Sequence, residues 1–151
     1  MTRINLVNVK SLADQHLFAE WREIKMVPAS LRRSLKTKTV KGILKNIPVR
    51  YTLNTGHVTF FFDKMNFLSK RYILLTSELL ERNYNLSKIS SFEEYLTDIP
   101  EEFCSKEWNP DRQEIQINVE RILQRISERP DWYRYYGAKT SIDYFKTAYN
   151  E

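Results

Sequence analysis

The chain has 151 residues, 42% of them hydrophobic, and a formal net charge of +5. That length supports one domain, 1–151, with a core of its own and no need of a stapling metal or disulfide. The single cysteine, Cys104, excludes a disulfide framework, and two histidines with one cysteine cannot complete a Cys/His zinc set. No apolar run approaches the roughly 18 residues of a membrane span. Met1–Leu6 is too polar for a signal peptide, so a soluble protein of a reducing compartment, the cytoplasm, is expected.

The charge is unevenly spread. Between Lys25 and Phe62 there is no acidic residue but eight basic ones: Lys25, Arg32, Arg33, Lys36, Lys38, Lys41, Lys45 and Arg50. Acids gather later, at Glu93, Glu94, Asp98, Glu101, Glu102, Glu107, Asp111 and Glu114. One-sided positive charge is the footprint of a polyanion binder, and it also fits a solvated face.

In chain order, the first helix is expected from near Ser11. Ser11-Leu12-Ala13-Asp14 has the form of a capping box, and Leu12, Ala13, Leu17, Phe18, Trp21 and Ile24 recur at helical spacing. His16, Glu20 and Glu23 fall on one face of it, and it is expected to end before Pro28. A short helix is expected over Ser30–Lys36. The second main helix runs from about Asp63, as N-cap, to Asn83, with Phe67, Leu68, Tyr72, Leu75, Leu79 and Leu80 as its buried stripe. The third starts at Asn109-Pro110 and closes at Pro130, with Ile115, Val119, Ile122, Leu123 and Ile126 inward and Arg121 and Arg125 sharing another face. Short helices are expected over Ser91–Thr97 and Ser141–Ala148. Only three glycines argue against an all-β fold. The reading is all-α, a compact domain of about three main helices with long connecting loops.

Four blocks carry a resemblance: MTRINL (1–6), ADQHLFAEWREI (13–24), GHVTFFFDK (56–64) and RPDWYRYYG (129–137). In that order they resemble the pyrimidine-dimer DNA glycosylase/AP lyase family. The resemblance implies a DNA repair enzyme that removes the 5′ pyrimidine of a cyclobutane dimer and then cuts the abasic strand by β-elimination. The nucleophile it implies is the α-amine of Thr2, freed when Met1 is removed. An α-amine titrates near about 7.8 and a lysine near about 10.4, so far more of the terminal amine is unprotonated at neutral pH. Glu23 matches the catalytic carboxylate, and Glu20, on the same helix, is expected to matter much less. The resemblance implies no cofactor or metal.

By the same resemblance Arg3, Gln15, His16 and Arg22 surround the site and meet phosphate or sugar. Arg121 and Arg125 hold phosphate, and His57 lies on the DNA side. Trp132, Tyr133, Arg134, Tyr135 and Tyr136 interleave aromatics with a cation, a pattern that suits stacking on bases or docking on the core. The expected partner is double-stranded DNA carrying pyrimidine photodimers or abasic sites, bound by a monomer, with no membrane.

The chain departs from the family pattern at Met26, where a basic residue is expected, at Trp21, across 25–55, and in the added residues 138–151. These departures bear on lesion preference. Two other functions stay open: a glycosylase for another modified base, and a DNA-binding module without catalysis.

Overall fold

The computed structural model describes residues 4–149. Predominantly helical character is observed, but three main helices understate it. Seven α-helices are present among the described residues: α1 (Asp14–Glu23), α2 (Met26–Leu35), α3 (Val40–Lys45), α4 (His57–Phe60), α5 (Met65–Glu81), α6 (Arg112–Glu128) and α7 (Ile142–Tyr149). No helix is long and apolar enough to cross a membrane among these residues.

The chain begins with an irregular segment that is nonetheless buried, through Ile4, Leu6, Val7 and Val9. A single 3-10 turn follows at Val9–Ser11, capped by the Asn8 side chain on the Lys10 amide. Ser11 therefore does not start α1; its hydroxyl donates to the Asn8 carbonyl at 2.6 Å. The N-cap of α1 is Ala13, with no side-chain cap. The helix ends well before Pro28, yet that proline opens no loop. It sits in the first turn of α2, where its missing N–H costs no intrahelical bond.

Asp63 does not cap α5. The cap position is Lys64, whose ammonium lies buried on the Phe60 ring and donates to the Asp63 carboxylate at 2.7 Å. On α5 the expected stripe holds for Leu68, Tyr72, Leu75 and Leu79, whereas Phe67 is half-buried and Leu80 is exposed. For α6 the cap is Asp111 in place of Asn109. Its carboxylate accepts the Glu114 amide, and the Glu114 side chain accepts the Asp111 amide in return, a full capping box. The Ser91–Thr97 expectation reduces to a 3-10 turn, Phe92–Tyr95.

One element was absent from the helical reading. Residues 134–139 form a hairpin, β1 (Arg134–Tyr135) against β2 (Ala138–Lys139), antiparallel, with Arg134 opposite Lys139 and Tyr135 opposite Ala138. Tyr136 and Gly137 turn it with φ of 52° and 80°, the two left-handed residues that a tight hairpin needs. The short helix expected over Ser141–Ala148 is observed as α7, Ile142–Tyr149, and it docks on the chain's N-terminal part. Phe145 is fully buried, and the Tyr149 hydroxyl donates to the Ser11 carbonyl at 3.1 Å, so the C-terminal helix packs on the N-terminal segment.

The Asp111 carboxyl is held below the ordinary carboxylate range, first by the Glu114 amide and also by the Arg50 guanidinium at 2.6 Å. A depressed folded-state value stabilises fully above the unfolded value of about 3.9 and is lost as pH falls through the folded one. Urea midpoints at pH 7 and pH 3 should therefore converge more in Asp111→Asn than in the parent chain, because Asn caps the helix without titrating.

Candidate DNA-facing active site

An irregular backbone can be buried only if its amides and carbonyls find partners. The segment Ile4–Leu12 finds them on side chains from every neighbouring element. The Ile4 amide donates to His57 Nε2 at 2.8 Å, and the Tyr51 hydroxyl donates to the Ile4 carbonyl at 3.0 Å. Asn118 Oδ1 accepts the amides of Leu6 and Val7 at 2.7 and 3.3 Å. Arg71 donates to the Val7 carbonyl at 2.8 Å, and Arg82 to the Leu12 and Lys10 carbonyls at 2.7 and 3.1 Å. The Tyr135 hydroxyl takes the Lys10 carbonyl at 2.7 Å.

These contacts place Asn5 in the wall of a small cleft, about 40 Å³, between α1 and α6. His16, Ala19, Glu20 and Glu23 line it from α1, and Arg121, Ile122 and Arg125 from α6. Residues 16, 19, 20 and 23 follow the i, i+3, i+4, i+7 spacing of one helix face. Their two carboxylates have different fates. Glu20 is 1% exposed; its oxygens accept Asn5 Nδ2 at 2.9 Å and both Nε and Nη2 of Arg71, at 2.5 and 3.1 Å. It is an internal ion pair, structural in a way the sequence reading did not foresee. Glu23 stays half-buried at the cleft. Arg121 leans on Asn54 at 3.4 Å, and Arg125 on Glu128 at 3.4 Å. The Nε of Arg125 is buried and meets no hydrogen-bond acceptor among the described residues.

The other expected site residues are placed variously. Thr2 and Arg3 lie outside the described residues. Arg22 is exposed and lies over the Phe18 ring at 5.8 Å, away from the cleft lining. His57 is a correction. It is 3% exposed, Nε2 accepts the Ile4 amide, and Nδ1 must then carry the proton it donates to the Thr52 carbonyl at 2.8 Å. It anchors Ile4 from inside the protein instead of lying at the surface. Gln15 is half-buried, and its side-chain amide is engaged by the backbone of Trp132 and Arg134.

Within the aromatic segment, Tyr133 is buried against His16, ring centroids 4.7 Å apart. Tyr135 and Tyr136 both flank the Arg82 guanidinium at 4.7 Å, and the Tyr136 hydroxyl donates to Glu78 at 2.6 Å. Burial pushes the Tyr135 phenol up to about 12. Trp132 is 45% exposed with Arg129 over its ring at 4.1 Å, and Arg134 is exposed.

Sequence reasoning missed the residues that hold all this together: Asn5, Asp14, Tyr51, Arg71, Glu78, Arg82, Glu114 and Asn118. A signal existed. Arg71, Glu78 and Arg82 fall on the apolar stripe of α5 with Leu68, Leu75 and Leu79, and Glu114 and Asn118 adjoin the stripe of α6. A charge on a buried stripe calls for a buried partner.

A sequence model of the pyrimidine dimer DNA glycosylase family matches residues 1–91, which is more than half of the chain. The protein belongs to that family of DNA repair glycosylases, whose substrate is DNA containing pyrimidine dimers. The match spans the N-terminal segment, α1 and α5, which carry the anchoring network and the carboxylate wall of the cleft.

Breaking the buried Glu20–Arg71 pair leaves a charge without compensation, which costs about 3–5 kcal/mol. Arg71→Leu should lower stability by that amount. Adding Glu20→Leu should restore much of it, as read from urea denaturation of the singles and the double.

Proposed function

We propose that this glycosylase excises the 5′ pyrimidine of a cyclobutane dimer and then cleaves the abasic strand as a lyase, through an imine on its own N-terminus. The observation that supports this reading is the anchoring of the backbone at Ile4. Ile4 is fixed at both its amide and its carbonyl, and Asn5 lines the same cleft as Glu23. Two residues span at most about 7 Å, so a terminal amine on Thr2 stays within that reach of Ile4.

The chemistry proceeds in two stages. The unprotonated Thr2 amine attacks the anomeric carbon of the sugar, the glycosidic bond breaks, and its electron pair leaves with the base, which takes up a proton. Loss of a proton from nitrogen and opening of the sugar ring give the protonated imine. Removal of a proton from the neighbouring sugar carbon then expels the 3′ phosphate. Water finally releases the sugar and regenerates the amine. Glu23 suits both stages: as a carboxylate it stabilises the cationic sugar and accepts the proton. Glu20 cannot share the work, because Arg71 already neutralises it.

Arg121 and Arg125 supply the phosphate side. A buried guanidinium N–H without an acceptor, as at Arg125 Nε, is satisfied by a phosphate oxygen at the cleft mouth. The cleft holds about 40 Å³, which admits no nucleotide, so the sugar is met at its mouth and the duplex must distort to bring it there. A dimer stacks and pairs poorly, which lowers the cost of that step.

The deciding experiment reduces the protein with borohydride on duplexes carrying one thymine dimer or one abasic site. An adduct on both, located by mass at the Thr2 amine, is expected. An adduct on the abasic duplex alone would keep the lyase and assign the glycosylase step to another base. No adduct on either would overturn the imine mechanism. Glu23→Gln should bind the dimer duplex and lose incision by at least about a hundredfold, the usual scale of a general acid–base contribution. Normal incision would remove Glu23 from the mechanism.

Each phosphate neutralised contributes about 0.9 to the slope of log affinity against log salt. Arg125→Ala should weaken binding to damaged and undamaged duplex alike and reduce that slope by about one. Titrations at several salt concentrations measure it.

A further inference from the structure

The first turn of α1 holds the aromatic segment by its backbone. Gln15 Nε2 donates to the Trp132 carbonyl at 2.7 Å, and Gln15 Oε1 accepts the Arg134 amide at 3.0 Å. One amide side chain thus clamps both flanks of Tyr133. The residues on either side of Gln15 complete the mount. Asp14 accepts the Tyr136 and Gly137 amides at 3.1 and 2.8 Å, and His16 packs on the Tyr133 ring.

The clamp determines where one exposed ring stands. Trp132 is clamped at its own carbonyl, and its ring is backed by Arg129 over its face and by the edge of Tyr133 at 5.1 Å. An open hollow of about 370 Å³ adjoins the indole, lined by Arg129, Pro130, Asp131 and Trp132. His16 lines the cleft and touches Tyr133, and Tyr133 touches Trp132, so the indole stands two ring contacts from the cleft. An indole placed there offers a stacking face to an unpaired or distorted base, a contact worth about 1–3 kcal/mol per base in single-stranded complexes.

We propose that Gln15 is a positioning residue for lesion recognition. It fixes the backbone on both sides of Tyr133 and acts on damaged DNA through Trp132, without touching phosphate. This rests on the DNA-repair reading above. Its physical basis is that the carbonyl oxygen and the nitrogen of the Gln15 amide are both engaged inside the protein. A shorter amide would not span the pair, and an apolar side chain of equal length would leave both backbone groups unbonded.

The test is a double-mutant cycle in the full chain with Gln15→Met, Trp132→Ala and the two combined, and Gln15→Asn as a second variant. Two quantities are read: the preference for a dimer-bearing over an undamaged duplex, and hydrogen exchange of the Arg134 amide. Gln15→Met and Gln15→Asn should both speed exchange at Arg134 and lower the preference about tenfold, the scale of one or two lost hydrogen bonds. The double variant should lose no more than Trp132→Ala alone, because both changes act on one contact. Additive losses, or an equal loss on damaged and undamaged duplex, would mean that Gln15 meets phosphate directly and would overturn the proposal. Retained preference despite faster exchange would also overturn it, while leaving the enzyme reading intact. A parent chain with no preference for the dimer would instead overturn the functional reading.

Discussion

Burial of the irregular segment Ile4–Leu12 is the constraint on which the rest of the structure depends. An extended stretch inside a helical protein has no ladder or helix to satisfy its backbone, and each unpaired group there costs about 1–3 kcal/mol. The fold meets this cost with side chains. Asn118 from α6, Arg71 and Arg82 from the α5 region, His57 and Tyr51 from the central loop and α4, and Tyr135 and Tyr149 from the C-terminal part all bond this backbone. The cations required for the carbonyls then require acids in turn. Arg71 takes Glu20, and Arg82 takes Asp14 with Glu78 nearby. Most of the buried polar residues, Asn5, Asp14, Glu20, His57, Arg71, Glu78, Arg82 and Asn118, thus belong to the anchoring of Ile4–Leu12.

The same helices that hold the segment also present the site. On α1, Glu20 turns inward to Arg71 while Glu23, one turn later, borders the cleft. On α6, Asn118 binds the segment while Arg121 and Arg125, one and two turns later, border the cleft. Asn5, Glu23, Arg121 and Arg125 are thereby referred to one frame of packed helices. Preorganisation of this kind spares a catalyst the reorganisation that a loop-borne site would require at each turnover.

The C-terminal part extends that frame. The hairpin is seated on Asp14 and Gln15, and α7 closes over it with Phe145 buried and Tyr144 against the Tyr135 ring. Tyr135 and Tyr149 tie this C-terminal part to the N-terminal segment, and Tyr136 ties it to Glu78 of α5. The family match ends at residue 91, yet residues beyond it complete both the anchoring network, through Asn118, and the cleft, through Arg121 and Arg125.

Local patterns determined much of this in advance. Helical periodicity located α1, α5 and α6, because apolar stripes of that spacing have no other way to be buried. Four short blocks carried the family resemblance. They included His16 and Glu23, the looser likeness of the third helix added Arg121 and Arg125, and all four line one cleft. Helix starts were misread at Ser11, Asp63 and Asn109, since the side chains that could cap were drawn to other partners or displaced by better ones. The hairpin was hidden because its left-handed turn at Tyr136 uses a residue with no turn signature. Only tertiary structure could decide which charges are internal. Glu20 and Glu23 look alike in sequence, as do His16 and His57. Glu20 and His57 are internal because a guanidinium and a buried backbone amide lie opposite them, supplied by residues more than fifty positions away.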